Sequence, residues 1–536
     1  MSTFGAKLII MRKYALLYLI VIAFATNAFA QDDFTIGHFQ NLRDANIYFK
    51  GVNTAIRPAT GVENEVYDSL IFPKNDKVEK NWFVRKLFHE HLFIFGNEKY
   101  KVYFDPIFDF RYNRLNDLSD PNNPVGINGY TNTRGAIVNV KLSEYVYLNT
   151  SIYENQAVLP AYMAEVYRIK GNIPGYARVK KLNGFSEFDY ANAYGNVSFR
   201  PIKSLNFTIG YDRLFIGDGL HSMILSDYAA PMPYVKTSFK FGKWEYVNLV
   251  TRLMQYNTMQ NVETADKISK VATYNFMIYN PQNGWQFTFF EQSVIDHKNK
   301  TFWGGLAQGI PVARLFYPIF ADNTNARFGA NVMYEHPKIG IFYTQAALNT
   351  DRVLNMNIDS TFLSSSYINL DVQVGYKNYN LFNVKGLQAQ IECNLAYSHL
   401  LKIRNNVNGN GKHAENQVPF PQNTHNSNYG QSLTIPKNQD TYLFSAVLSY
   451  QIKCFKVMAR YSRSPYTSYF ETYPRQYAAP DNFVHPRDQF DFQFIYEMNP
   501  VNRMQWFAGI SMYNVADKPL DYYFSIGFRT ALRNNY

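Results

Sequence analysis

Asp488-Gln489-Phe490-Asp491-Phe492-Gln493-Phe494-Ile495-Tyr496-Glu497 is the stretch whose reading decides the fold. Phe490, Phe492, Phe494 and Tyr496 occupy every second position, while Asp491, Gln493 and Glu497 fall on the alternate ones. Successive side chains of an extended chain point to opposite sides, so this spacing makes a strand with one aromatic and one polar face. The pattern recurs in segments of roughly ten residues from about residue 85 to the C terminus. Leu387, Ala389, Ile391, Cys393, Leu395 and Tyr397 oppose Gln388, Gln390, Glu392, Asn394 and Ser398. Leu205, Phe207, Ile209 and Tyr211 oppose Asn206, Thr208 and Asp212. In the last segment, Tyr522, Phe524, Ile526, Phe528 and Leu532 oppose Tyr523, Ser525, Gly527 and Arg529.

Composition narrows the class. The chain of 536 residues holds 43 Tyr, 43 Phe and 5 Trp, 17% aromatic in all, yet only 46% of it is hydrophobic. Disordered chains are poor in aromatics, which excludes that class. A mean hydropathy of -0.30 and 18% charged residues exclude a bundle of membrane helices, which needs repeated apolar runs of about 20 residues. Alternation fits a soluble sandwich and a membrane barrel equally, so connection length has to decide. Tight turns fall near 96–98, 143–144, 201–203, 242–243, 280–284, 336–338, 452–453 and 499–502. Between them lie long irregular stretches at about 114–132, 156–189, 216–232, 296–325, 349–365, 401–440 and 465–487. Short periplasmic turns alternating with long external loops are the mark of an outer-membrane barrel. Counting back from the strand at 519–532 and keeping every short turn periplasmic makes the strand starting near Lys99 the first of 18. The predicted fold is therefore an all-β transmembrane antiparallel barrel of about 18 strands, with a lumenal plug or short helical elements. Its aromatics face lipid and the membrane interfaces, and its polar residues face the lumen.

The N terminus is built differently. Lys7, Arg12 and Lys13 precede an apolar block from Tyr14 to Phe24, and Ala28-Phe29-Ala30 forms a small-x-small cleavage site before Gln31. Residues 1–30 read as a secretory signal peptide cleaved near Ala30, which places the product in the outer membrane of a Gram-negative cell. Its removal lowers the net charge from +11 to +8. Residues 31–98 then form a periplasmic or plug segment, with 86–95 either a periplasmic strand or an inserted plug element, and 99–536 form the barrel. Cys393 and Cys454 are the only cysteines, too few for a disulfide scaffold and without metal-ligand spacing.

Two connections draw attention. Residues 401–440, rich in Asn and Gly, read as an exposed external loop. Residues 156–189 carry Pro160, a helical turn through Tyr162–Ile169 and Pro174-Gly175, suiting a lumenal plug or a small helical lid. Gly217-Asp218-Gly219 sits where a strand enters a loop, and its glycines permit positive φ and close backbone approach. The same residues also suit a simple turn. Arg213, Asp218, His221 and Asp227 are the candidate ligand-binding residues.

Phe188-Asp189-Tyr190, Tyr194-Gly195-Asn196-Val197-Ser198-Phe199, Phe207-Thr208-Ile209-Gly210, Phe215-Ile216-Gly217-Asp218-Gly219, Ser222-Met223-Ile224-Leu225-Ser226-Asp227 and Pro233-Tyr234 together resemble the capsule-assembly Wzi and gliding-motility RemB family. Phe88-His89-Glu90 and Tyr103-Phe104-Asp105-Pro106-Ile107 resemble the way that family's chain enters its barrel. The likeness covers roughly 85–250. Where members commonly have Gly-Tyr-Arg-Ser, this chain reads Gly219-Leu220-His221-Ser222, which weakens any carbohydrate contact carried over to that position. The resemblance implies an outer-membrane barrel without catalysis, acting in attachment or assembly of capsular polysaccharide or in gliding motility. Implied partners are outer-membrane lipid and lipopolysaccharide, surface polysaccharide, the barrel-assembly machinery and gliding or secretion proteins, with no nucleic acid. The alternative is an outer-membrane porin or uptake channel, which the polar inward face suits.

No catalytic residues are assigned. Neighbouring strand residues such as His221 and Ser222 point apart, and there is no Gly-x-Ser-x-Gly elbow. His89 and His91, two positions apart, would share a strand face and reach a metal with Glu392, but ordinary polar strand residues have the same spacing. No metal or cofactor is expected.

Overall fold

The computed structural model describes residues 56–57, 81–117, 125–159, 172–182, 187–256, 267–296, 324–350, 366–403, 427–434, 441–466, 485–515 and 520–530, apart from single positions within those runs, together with Ala164 and Tyr167. The leader-like segment 1–30 lies outside the described residues. No described helix is long and apolar enough to cross a membrane.

Eighteen antiparallel strands close into one barrel. The first nine are β1 (Lys101–Asp117), β2 (Val125–Lys141), β3 (Val146–Val158), β4 (Glu187–Ile202), β5 (Leu205–Asp212), β6 (Met232–Phe241), β7 (Trp244–Tyr256), β8 (Lys267–Tyr279) and β9 (Trp285–Asp296). The rest are β10 (Thr324–His336), β11 (Gly340–Thr350), β12 (Ser366–Asn378), β13 (Leu387–Ile403), β14 (Thr441–Ile452), β15 (Phe455–Tyr466), β16 (His485–Asn499), β17 (Met504–Val515) and β18 (Asp521–Arg529). Each pairs with its sequence neighbour, and β18 closes on β1 from Tyr523↔Leu115 to Arg529↔Asp109. Eight short connections of two to eight residues lie at one end, and nine connections of up to 37 residues at the other. The expected asymmetry is present, and it extends to the turn at 379–386 and the long-end connections at 257–266 and 516–520, which the turn and loop readings did not include.

Outward side chains form the two aromatic belts that amphipathic rings favour at a membrane interface. At the short-connection end, Trp244 packs on Tyr279, Trp285 on Tyr334, Phe342 on Tyr376, Phe455 on Tyr496 and Trp506 on Phe528, with ring centroids 4.5–5.1 Å apart. At the other end Tyr112, Tyr130, Tyr211 and Tyr442 remain exposed. Cys393 and Cys454 are free and exposed.

The segment before β1 belongs partly to the barrel. Phe93–Gly96 pairs with β1 from Phe93↔Phe104 to Gly96↔Lys101, on the edge of β1 that β18 also uses. Pro106 falls in the gap between these two partners, where no ladder bond needs its missing N–H. Thr530 bridges the gap: its N–H donates to Phe108 O, its Oγ1 accepts from Phe108 N and donates to Pro106 O. The preceding helix α1 (Trp82–Phe88) is capped by Asn81 and held at the short-connection rim by Asn499, whose amide donates to Lys86 O and Glu90 O. His89 thus caps a helix and shares no strand face with His91. His91 Nδ1 meets Asp105 Oδ2 at 2.5 Å, whereas Glu392 engages His221, so these histidines and Glu392 are not brought together.

One expectation about the wall is inverted. In β13 and β16 the polar residues do face inward, but in β7 and β8 the lumenal wall is mostly apolar, with Val247, Leu249, Leu253, Ala272, Tyr274 and Phe276, and in β9 Phe290 and Val294 share the inner face with buried Gln286, Thr288 and Gln292. The reason is what fills the lumen beside them.

Candidate functional site: a lumenal plug

The connection from β5 to β6, residues 213–231, folds into the barrel. Its shape is set locally. Ser222 Oγ donates to Ile216 O and accepts from Ile224 N and Leu225 N, while Ile216 N donates to Leu225 O. This closes the segment into a compact loop, on whose edge Phe215–Ile216 pairs with Ile56–Arg57. Ser222 Oγ therefore serves the backbone of the loop.

The loop has two faces. Leu214, Ile216, Ile224, Leu225 and Ala229 pack on the apolar wall of β7–β9. Full burial of a Leu or Ile side chain contributes roughly 1.5–3 kcal/mol, which makes this the loop's main attachment and explains why that wall abandons the usual polarity. The opposite face is polar and reaches strands β10–β13. Glu392, fully buried on β13, accepts from Leu220 N (2.7 Å), His221 N (3.2 Å), His221 Nδ1 (2.9 Å), Tyr343 Oη (2.9 Å) and Asn394 Nδ2 (2.7 Å). Gln345 Oε1 on β11 accepts from Met223 N, and Gln373 Nε2 on β12 donates to His221 O. Asn331 Nδ2 on β10 donates to Asp218 Oδ2 at 3.0 Å, and Lys377 Nζ donates to Asp218 O at 2.7 Å. The loop thus spans the lumen, with its root beside β5 and β6 and its tip fastened four to seven strands on from β6.

The two glycines are required by this approach. A Cβ on Gly219 would collide with the Glu392 carboxylate, and one on Gly217, at φ +152°, with the Gln345 amide. We expect Gly219→Ala to destabilise the folded barrel by about 1–3 kcal/mol through forced overpacking, read as a lowered unfolding midpoint in urea. An unchanged midpoint would mean that the loop is not seated on Glu392.

Two further segments lock the loop. Within the stretch expected to be an exposed external loop, residues 427–434 instead fold inward, because their amides match backbone groups the plug leaves open. Asn428 Nδ2 donates to Ala230 O, and Asn428 Oδ1 accepts from Met254 N. Gln431 Nε2 donates to Ile173 O and Tyr176 O while its Oε1 accepts from Gly175 N. Ser226 N donates to Leu433 O. Asn172, Ile173, Gly175 and Tyr176 of the β3–β4 connection thereby join the plug, whereas Arg178, Lys180 and Lys181 of the same connection are exposed. Ala164, Ile173 and Tyr176 pack among Tyr153, Phe188, Tyr190 and Tyr194 on the inner wall.

The four predicted residues separate into two pairs. Asp218 and His221 lie at the tip against β10–β13. Arg213 and Asp227 lie near the root, where the Arg213 guanidinium sits 5.8 Å from the Tyr194 ring centroid and close to Asp227. Arg213, Asp218 and Asp227 are buried, and the His221 side chain keeps 24% of its surface. Burial, reinforced by Tyr153, Tyr190 and Tyr194 and opposed by Arg213, holds the Tyr176 hydroxyl well above the usual phenol range, so it stays protonated. Nothing in the sequence tied the anchoring residue Glu392 to this loop; it read as one polar position of an alternating strand and as a distant acid beside His89 and His91. Among the described residues no group of three or more His, Cys, Asp or Glu side chains is placed to hold a metal ion.

No family model and no curated protein matches this sequence. Among solved structures the chain is similar to OccK7 (OpdD) of Pseudomonas aeruginosa, with 8% identity, a TM-score of 0.41 and coverage of 81% of this chain and 99% of that one. It is similar to OccAB2 of Acinetobacter baumannii at 11% identity and TM-score 0.39, covering 80% and 97%. Wzi of Escherichia coli, an outer-membrane protein involved in group 1 capsule assembly and a carbohydrate-binding β-barrel, is similar at 14% identity and TM-score 0.44, covering 80% and 85%.

Proposed function

We propose that the chain works in the outer membrane as a closed, non-catalytic barrel that attaches or helps to assemble a surface polysaccharide, or serves gliding motility. The observation that supports this is the plug: residues 213–231 cross the lumen and are fastened on both sides, by apolar packing at β7–β9 and by Glu392, Gln345, Gln373, Asn331 and Lys377 on the far wall. A diffusion channel needs an open path, and 18 strands would otherwise leave one. The external ends of the strands and their long connections then become the surface that meets a polymer. The basic balance of the chain, +11 overall, favours an acidic one.

In a planar bilayer the purified protein is expected to give no large steady current, and on a glycan array to retain acidic surface polysaccharides. Deletion of the gene is expected to alter capsule staining or movement on agar. Large ohmic currents together with unchanged capsule and movement would sink the proposal in favour of a porin.

A further inference from the structure

The plug fills the lumen unevenly. On β10–β13 the inward side chains Asn331, Gln345, Gln373 and Glu392 are buried beneath its tip. Across the barrel, on β15–β18, the inward side chains Arg460, Gln489, Gln493 and Tyr523 keep part of their surface. A polar strip of the inner wall is therefore left open to the lumen.

Two arginines at the edge of this strip share one aromatic ring. Arg111 on β1 and Arg529 on β18 lie against Phe507 of β17, their guanidinium carbons 5.3 and 4.5 Å from its ring centroid. Gly527 stands between Phe507 and Arg111 on the paired strands, and a Cβ there would collide with Phe110 O and crowd the stem of Arg111. One carboxylate serves the pair. Asp109, fully buried, accepts from Arg111 Nε at 2.7 Å and from Arg111 Nη2. Among the described residues Arg529 has no ion-pair partner. With the Gln505 amide turned so that its oxygen faces the guanidinium, Gln505 accepts from Arg529 Nε (2.6 Å) and Nη2 (3.2 Å). Nη1 of each arginine is left without a partner in the chain, and the Arg111 side chain keeps 19% of its surface. Two guanidiniums against one carboxylate leave a positive charge uncompensated in a partly dry setting, where an anion is attracted far more strongly than in bulk water.

The strands give the site its level. Gln505 and Phe507 are the second and fourth residues of β17 from its short-connection end, whereas Glu392, which holds the plug tip, is the sixth of β13. The arginine pair thus lies on the short-connection side of the plug, the periplasmic side of an outer-membrane barrel.

We propose that Arg529 and Arg111, set on the Phe507 ring, bind the carboxylate of an acidic sugar, a hexuronate unit, presented from the periplasmic side. The guanidinium fork matches the two oxygens of a carboxylate, as Asp109 already shows at Arg111. Gln493 and Tyr523, part-exposed on the same inner face, offer an amide and a phenol to sugar hydroxyls. The choice of a sugar rests on the proposed handling of an acidic polymer, while the carboxylate site rests on the arginines alone.

The test is calorimetric titration of the purified, full-length barrel in detergent with a galacturonate oligomer, the matching neutral galactose oligomer and inorganic phosphate. The uronate is expected to bind, and the neutral sugar is not. Arg529→Gln and Gln505→Glu are each expected to weaken uronate binding by about tenfold or more, the first by removing the open guanidinium and the second by supplying an internal carboxylate that occupies it. Gln505→Glu keeps the side chain's size, so it decides the matter should Arg529→Gln fail to fold. No uronate binding by the wild type, wild-type affinity in Gln505→Glu, or phosphate or neutral sugar binding as tightly as the uronate would each overturn the proposal. A barrel that binds no uronate here yet retains acidic polysaccharide on a glycan array loses only this site. One that binds uronate here and retains no polymer loses only the polymer reading.

Discussion

Replacing residues 214–230 by a short Gly-Ser linker is expected to convert a barrel that conducts little into an open pore, raising single-channel conductance by about tenfold or more, since an unobstructed barrel of this strand number leaves an aqueous channel. The wall itself should survive. Every strand from β1 to β18 is paired on both edges by ladders that do not involve the loop. Two consequences accompany the opening. Asn428 loses Ala230 O as an acceptor, so residues 427–434 loosen with the plug. The apolar lumenal wall of β7–β9 meets water, which costs about 25 cal/mol per Å² of newly exposed apolar surface and should lower stability as conductance rises. A linker variant that stays folded by gel mobility and still conducts no more than the wild type would show that residues 172–176 and 427–434 close the lumen unaided.

How much of this was legible in the sequence depends on the range of the interaction. Phe490, Phe492 and Phe494 on one side and Asp491 and Gln493 on the other declare a strand with a lipid face, because alternation is a local property that survives without knowledge of neighbours. The strand count follows from it. The plug loop after β5 was legible only as the glycine-bearing turn at 217–219, since the side chains Gly217 and Gly219 must avoid, Gln345 and Glu392, lie more than a hundred residues away. Asp218 and His221 could be singled out by their place in that turn, but not the division of the four candidates between tip and root, which depends on which wall each end of the loop meets. The stretch 427–434 was misread as external for a similar reason: Asn428 and Gln431 look solvated in sequence and are buried because the plug's backbone satisfies them. In β7–β9 the rule that polar residues face the lumen fails, since Val247, Tyr274 and Phe276 answer to Ile216 and Leu225 rather than to lipid.

Glu392→Ala is expected to release the tip of the plug. The carboxylate takes hydrogen bonds from two consecutive backbone amides of the loop, Leu220 and His221, besides the His221 ring, Tyr343 and Asn394. Alanine leaves these donors facing a dry gap, at about 1–3 kcal/mol for each that water cannot reach. Removing one partner of a buried ionic contact typically costs about 3–5 kcal/mol. That is comparable to burying two of the loop's aliphatic side chains. The root should therefore hold on β7–β9 while the tip loosens from β10–β13, where its remaining ties are hydrogen bonds to Gln345, Gln373 and Asn331 and the hydrogen bond and ion pair of Lys377 with Asp218. Proteolytic nicking within 217–223 and faster amide exchange at Leu220 and Met223 would report the release, with the barrel still folded. Glu392→Gln keeps one accepting oxygen but turns an amide toward donors, so it should fall between wild type and alanine. If Glu392→Ala protected both amides as fully as the wild type does, the carboxylate would be a bystander, and the apolar root alone would have to account for how a loop of this length stays across the lumen.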